Sequence, residues 1–158
     1  MTESYLALYV HPAFGHLQLH FSDGVLVQLD LPHQPLLQDA YNALPNPWQQ
    51  QLDAYFQGEL TDFGVAISPT GTAHDAKVWQ AMLAIPYGKT RNYGDVAAEI
   101  GSSAQAVGNA CGRNPLPIVV PCHRIVGRHG LGGFSGSNDV STTATKHWLL
   151  EHERTHAR

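Results

Sequence analysis

Hydrophobic and polar positions alternate along the first thirty residues, and the period then lengthens. Leu17, Leu19 and Phe21 alternate with His16, Gln18 and His20, the two-residue period of a strand with one buried face. Residues 4–10, 15–21 and 24–31 all carry β-type patterning, with Ser22-Asp23-Gly24 as a hairpin turn. A small antiparallel sheet is predicted. Asn46 stands where a cap would, Pro47 suits the first helical position, and Trp48, Leu52, Tyr55 and Phe56 recur on one helical face until Gly58. After the Gly/Thr/Pro-rich passage from Ser68 to Thr72, Thr72 can cap a helix burying Val78, Trp79, Met82 and Leu83, ended by Pro86. This junction predicts a domain boundary, with residues 1–73 as a structural α/β unit and residues 74–158 as a second domain.

The second half continues with the loop Pro86-Tyr87-Gly88, a short helix near 93–100, a turn at Gly101-Ser102 and a helix near 103–111. Two short helices around a Gly-containing turn outline a helix-turn-helix. The second of them, Ala104 to Ala110, carries almost no bulk on one face. Small residues there suit either tight helix packing or close approach to another surface. An apolar run from Leu116 to Val120, read as extended, leads into Pro121-Cys122-His123-Arg124. A glycine-rich loop follows from Gly127 to Gly136, and a last helix near 143–153 carries Trp148, Leu149 and Leu150.

Composition changes little in this picture, but charge does. A chain of 158 residues with 43% hydrophobic residues can bury a core without metal or disulfide staples. No stretch has the length of a membrane span, and the first residues lack the basic segment of a secretory signal, so a cytoplasmic protein is expected. The net charge of −4 conceals an asymmetry. Residues 1–76 hold eight acids and no Lys or Arg, whereas the remainder holds nine bases against five acids. The segments are thus −8 and +4, as expected if the second half meets something negative while the first faces away. Ten histidines lack metal-ligand spacing, although His16 and His20 could share a strand face, and no metal site is expected.

Two cysteines, Cys111 and Cys122, make no disulfide framework. Cys122 is followed by a potential base and a cation, the neighbours that lower a thiol pKa. Adjacent side chains of an extended segment point apart, so His123 would reach Cys122 through a water or a bend. For the isolated dipeptide, a small core residue is the commoner reading.

The surrounding string shifts that balance. AVGNACGRN within Gln105 to Asn114, PLPIVVPCHRIVG from Pro115 to Gly127, Val78-Trp79, Ile85-Pro86-Tyr87-Gly88, Tyr93 and Lys146 to Glu153 together resemble the O6-alkylguanine-DNA alkyltransferase family, closely from about Gly71 to Glu153 and in outline before that. The resemblance implies an α+β fold: a small N-terminal antiparallel-sheet and helix domain of RNase H-like form, then a mostly helical winged helix-turn-helix domain that binds DNA and transfers the alkyl group. It implies that Cys122 accepts an alkyl group from O6-alkylguanine, and less well from O4-alkylthymine, in a single turnover without a cofactor. His123 would be the water-linked base, Glu153 would hold His123, and Asn114 would brace the turn and the bound water. Tyr93 would direct its hydroxyl to the guanine ring and help protonate the leaving base. The carbonyls of Cys122 and Ile125 would accept from the exocyclic amine, and the amide around Ser135 would donate to O6. The second helix would enter the minor groove of double-stranded DNA with Ala104, Ala106 and Gly108 allowing close approach, while the lesion is flipped into the pocket. Arg91, Arg113, Arg124 and Arg128 are candidates for phosphate contact or pocket support. A monomer is implied, which could bind cooperatively along DNA.

Several positions depart from the family pattern. Gln105 stands where most members intercalate an arginine, which puts efficient flipping in question and leaves the transfer chemistry intact. The turn Gly101-Ser102-Ser103 is short, His74-Asp75 replaces an aromatic-Gln pair, and Ser137 to Thr145 reads as an insertion. Two other readings compete. A non-enzymatic alkyltransferase-like lesion binder would lack the acceptor that Cys122 supplies, and an operator-reading regulator would want large residues where Ala104 to Ala110 offers small ones.

Overall fold

The computed structural model describes residues 3–60, 62–63, 71–127 and 140–157. The chain divides into two compact units, Met1–Thr70 and Gly71–Arg158. Asp75 falls in the second unit, which leaves seven acids in the first and nine bases against six acids in the second. No helix among the described residues is long and apolar enough to cross a membrane.

The first unit is an antiparallel sheet in the order β1 (Ser4–His11), β2 (Gly15–Ser22), β3 (Val25–Asp30), with one helix, α1 (Asn46–Phe56). The β2–β3 connection is a tight hairpin turn because Asp23 and Gly24 both adopt positive φ, 50° and 81°, the backbone twist that matches paired strands. Leu17, Leu19 and Phe21 are buried as their alternation predicts. Gln18 is not outward, however. It is 0% exposed because the chain after β3 covers that side of the sheet, and its amide donates to the Pro35 carbonyl at 2.9 Å while accepting from Leu37 N and the Tyr41 hydroxyl. A buried amide with its hydrogen bonds made avoids the penalty that periodicity alone would assign it.

Trp48, Leu52, Tyr55 and Phe56 form the buried face of α1, and Trp48 meets Phe21 edge-on at 6.4 Å. Burial of each such large side chain contributes about 1.5–3 kcal/mol. Asn46 lies inside the helix instead of capping it. The cap position is Pro45, without a side-chain hydrogen bond, and Pro47 sits in the first turn, where its missing N–H leaves nothing unpaired.

The second unit contains α2 (Ala73–Leu83), β4 (Arg91–Asn92), α3 (Tyr93–Ile100), α4 (Ala104–Gly112), β5 (Ile125–Val126) and α5 (Val140–His156). Thr72 caps α2 in a reciprocal box with Asp75, and Val78, Trp79 and Met82 are buried. Leu83 is exposed, and Asp75 takes a place on the buried face. Asp75 is affordable there because Arg113 of the segment after α4 reaches it, Nη2 to Oδ1 at 2.6 Å. His74 lies 2.7 Å from the Ser102 hydroxyl. The two residues that break the family pattern thus tie α2 to both ends of α4.

Helices α3 and α4 form the helix-turn-helix. Asn92 caps α3 through Asp95 N, Gly101 ends it in the left-handed conformation at φ 70°, and Ser103 caps α4 through Ala106 N. β4 and β5 pair in parallel, Arg91 with Ile125 and Asn92 with Val126, a contact too short to have a sequence signature. α5 begins at Val140, so residues 140–145, read as part of an insertion, belong to its first turns. Residues 137–139 of that stretch lie outside the described residues, as does most of the glycine-rich loop.

Candidate active site

The run Leu116 to Val120 is apolar and buried, yet it is not extended. Val120 N donates back to Leu116 O at 2.8 Å, and Ile118 holds φ 75°, a strained conformation for a β-branched residue. Asn114 holds the coil closed: its Nδ2 donates to Val120 O at 2.8 Å and its Oδ1 accepts from Leu116 N at 3.0 Å. A buried backbone that makes neither helix nor strand needs such partners. The coil delivers the chain to a single 3₁₀ turn, Cys122–Arg124, instead of a strand end. Successive side chains of such a turn stand about 120° apart, so Cys122 and His123 are not on opposite faces as neighbours on a strand would be.

Cys122 is 3% exposed, and its burial pushes the thiol up to about 11, although the Asn114 side chain and the Lys146 charge work in the opposite direction. At neutral pH the thiol keeps its proton, so attack requires a base. His123 is fully buried, and burial holds its pKa below the ordinary imidazole value despite the opposing pull of Glu153. Its Nε2 lies 2.6 Å from Glu153 Oε2, while Nδ1 has no hydrogen-bond partner among the described residues. Burial alone would raise the Glu153 carboxyl, but His123 and Arg124 outweigh it and hold the group well below the usual range. An anionic carboxylate accepts, so Nε2 carries the imidazole proton and Nδ1 keeps its lone pair. The arrangement is a neutral imidazole with a vacant basic nitrogen, oriented by a carboxylate, beside a protonated thiol.

Arg124 completes the network. Its guanidinium donates from Nε to Glu153 Oε1 at 2.7 Å, from Nη2 to Oε2 at 3.1 Å and from Nη1 to the Ile85 carbonyl at 2.9 Å, and it sits 5.6 Å from the centroid of the Tyr87 ring. As a buried ion-pair partner it is committed to the site and not to an external phosphate. Arg91 is paired with Glu99, and Arg113 with Asp75, so each of these arginines already has an acid partner within the chain. Arg128 and Ser135 lie outside the described residues.

Tyr93, the first residue of α3, is mostly buried, and its phenol pKa is raised by that burial. The α4 positions sort by face. Val107, Ala110 and Cys111 are buried, whereas Ala104 and Gln105 are exposed and Ala106 and Gly108 are half-buried. Among the described residues a Cβ on Gly108 would meet only the Tyr93 ring, at 4.0 Å, so packing among them does not require glycine there. Cys111 is a small interior residue with its thiol pushed up by burial.

Sequence reading missed one member of the site. Lys146 is 0% exposed, and its Nζ donates to the Ile125 carbonyl at 2.7 Å and toward the Tyr93 hydroxyl at 3.5 Å. The available signal was spacing: Lys146, Leu149 and Glu153 stand at i, i+3 and i+7, one face of α5. Seven residues of helix span about 10.5 Å, so one helix serves both ends of the site.

Residues 73–155 match the family model described as 6-O-methylguanine DNA methyltransferase, DNA binding domain. The methylated-DNA–protein-cysteine methyltransferase of Mycobacterium leprae is 53% identical over 107 residues, which cover 66% of this chain and 62% of that protein. The protein of the same name from Mycobacterium bovis is 41% identical over 151 residues, 90% of this chain and 88% of that one. Among solved structures, Mycobacterium tuberculosis OGT in complex with DNA superposes with a TM-score of 0.81 at 38% identity, over 96% of this chain and 94% of that chain. With its family model covering more than half of the sequence and a relative matching nearly end to end, the chain belongs to the methylated-DNA–protein-cysteine methyltransferase family, and its fold is the α+β fold of that family.

Proposed function

We propose that the protein repairs double-stranded DNA by moving the alkyl group of O6-alkylguanine, and less readily that of O4-alkylthymine, onto Cys122, once per molecule. The observation that carries this reading is the buried Cys122 turn braced by Asn114 and followed by the His123–Glu153–Arg124 network. His123 Nδ1 takes the thiol proton, directly or through a water, and Glu153 stabilises the imidazolium that results. The thiolate attacks the alkyl carbon, the carbon–O6 bond breaks, and the guanine ring takes a proton from Tyr93. The guanine leaves neutral, while the new thioether at Cys122 has no route back. Such a step draws on no cofactor or metal.

The Gly71–Arg158 unit would carry both DNA binding and transfer. Exposed Ala104 and Gln105, with Ala106 and Gly108 beside them, support a helix that approaches a shallow minor groove, whose degenerate pattern suits a search for damage in any sequence. The lesion would be flipped into the pocket, with Gln105 filling the space it leaves and the carbonyls of Cys122 and Ile125 and the amide around Ser135 reading its edge. The test is intact-protein mass spectrometry after incubation with an O6-methylguanine duplex. One added methyl on Cys122, equal in amount to the protein supplied and absent from Cys122→Ser, is the expected result. Tight lesion binding without a methyl adduct would instead favour a non-enzymatic lesion binder, and repair of many lesions per molecule would exclude the stoichiometric mechanism.

A further inference from the structure

Lys146 is a fully buried lysine that the transfer scheme above does not use. It is surrounded from four sides: Tyr93 from α3, Cys111 from α4, Cys122 and His123 from the 3₁₀ turn, and the Ile125 carbonyl from β5. Its Nζ also sits 5.6 Å from the centroid of the Tyr93 ring. An ammonium has three protons and no lone pair. As long as Lys146 is charged, the Tyr93 oxygen must accept from it, and the phenol proton must point elsewhere. A neutral amine could accept that same proton and turn it away from the pocket.

We infer that Lys146 is a positioning residue for the transfer, one that acts through Tyr93: its ammonium directs the phenol proton toward the guanine ring and replaces that proton once it has been given up. The inference rests on the repair reading. In the full step the sulfur–carbon bond forms at Cys122 and the carbon–O6 bond breaks, with its electron pair passing to the guanine ring. The ring takes the Tyr93 proton, the Tyr93 oxygen takes a proton from Lys146, and the thiol proton goes to His123. Lys146 ends as a neutral amine. The Ile125 carbonyl, which has two lone pairs, fixes Nζ in place and keeps one pair for the exocyclic amine of guanine. Burial supports the assignment, since it brings the Lys146 ammonium down to about 8, within reach of losing its proton near neutrality.

The experiment is single-turnover methyl transfer from an O6-methylguanine duplex between pH 6 and pH 10, with protein in excess. The wild-type rate is expected to fall above about pH 8, by roughly tenfold per pH unit. Lys146→Met, a near-isosteric change, should bind the lesion with unchanged affinity, react roughly 10- to 100-fold more slowly at pH 7 and show no fall in that range. Lys146→Arg, charged throughout, should recover part of the rate and also lack the fall. A wild-type rate that does not decline between pH 7.5 and pH 9.5, or a Lys146→Met profile parallel to the wild-type one, would overturn the inference even if Lys146→Arg failed to fold. Absence of a methyl on Cys122 at every pH would instead reject the repair reading itself, and the inference with it.

Discussion

Glu153 Oε2 lies 2.6 Å from His123 Nε2, with both side chains at 1% exposure or less. The same carboxylate receives two hydrogen bonds from Arg124, so one anion orients the base and neutralises a buried cation. Neither role survives alone. Glu153→Gln keeps the shape and removes the charge, which leaves the Arg124 guanidinium buried and uncompensated. The expected loss is about 3–5 kcal/mol of stability in urea denaturation, with methyl transfer slowed by roughly 10²- to 10⁴-fold. Unchanged stability would mean that Arg124 finds another partner.

The pH dependence of stability follows from the same pair. The pKa of His123 is lowered in the folded state, so the unfolded chain binds its proton first as the medium is acidified. This contribution is fully present above the ordinary imidazole value of about 6.5 and is lost as pH falls below it. Glu153, also depressed, adds a second loss as pH falls through about 4.3, the unfolded carboxyl value. Thermal unfolding between pH 8 and pH 4 should show stability declining below about pH 6.5, by at most about 1.4 kcal/mol per pH unit for each proton taken up. His123→Asn should flatten the upper part of that decline.

Gly108 separates stability from function. A helix-interior glycine costs about 0.5–1 kcal/mol relative to alanine, and among the described residues no neighbour approaches a Cβ there closer than 4.0 Å. Gly108→Ala should therefore raise the melting temperature while weakening affinity for DNA, if α4 meets the groove there. Equal DNA affinity for the two forms would remove the close-approach argument.

Gln105 is exposed on α4, where a longer cationic side chain would have room. Gln105→Arg should tighten binding to lesion-containing duplexes, steepen its salt dependence and speed repair, because it restores a charge near the phosphates and a bulkier filler for the vacated stack. Identical rates and affinities for both forms would show that Gln105 already does what the exchange was meant to supply.

Local signals served well wherever one residue type answers one local demand. Thr72 caps its helix, Asp23-Gly24 makes the hairpin, and Gly101 makes the turn that ends α3, each by a hydrogen bond or a backbone angle confined to a few neighbours. The signals failed where distant segments compete for one position. Gln18 alternates as an outward residue but is covered by the chain around Pro35 to Tyr41. Leu116 to Val120 has the composition of a strand, yet it pairs with no strand among the described residues, and the Asn114 side chain bonds its backbone in a coil.

The candidate site divides along the same line. Pro121-Cys122-His123-Arg124 and its flanking blocks pointed to the family from the order of residues alone, and with it to the nucleophile and base proposed here, because such chemistry demands particular side chains in a short stretch. The partners of those side chains were not legible in that way. Arg124 looked as available to a phosphate as Arg91 did, and Lys146 looked like any cation on a terminal helix. Arg124 became a buried brace and Lys146 a buried donor only when α5 packed against the 3₁₀ turn and β5. Burial is a property of what surrounds a group, and the energy of a charge is set by the partners and dielectric it meets after folding, which no single stretch of sequence contains.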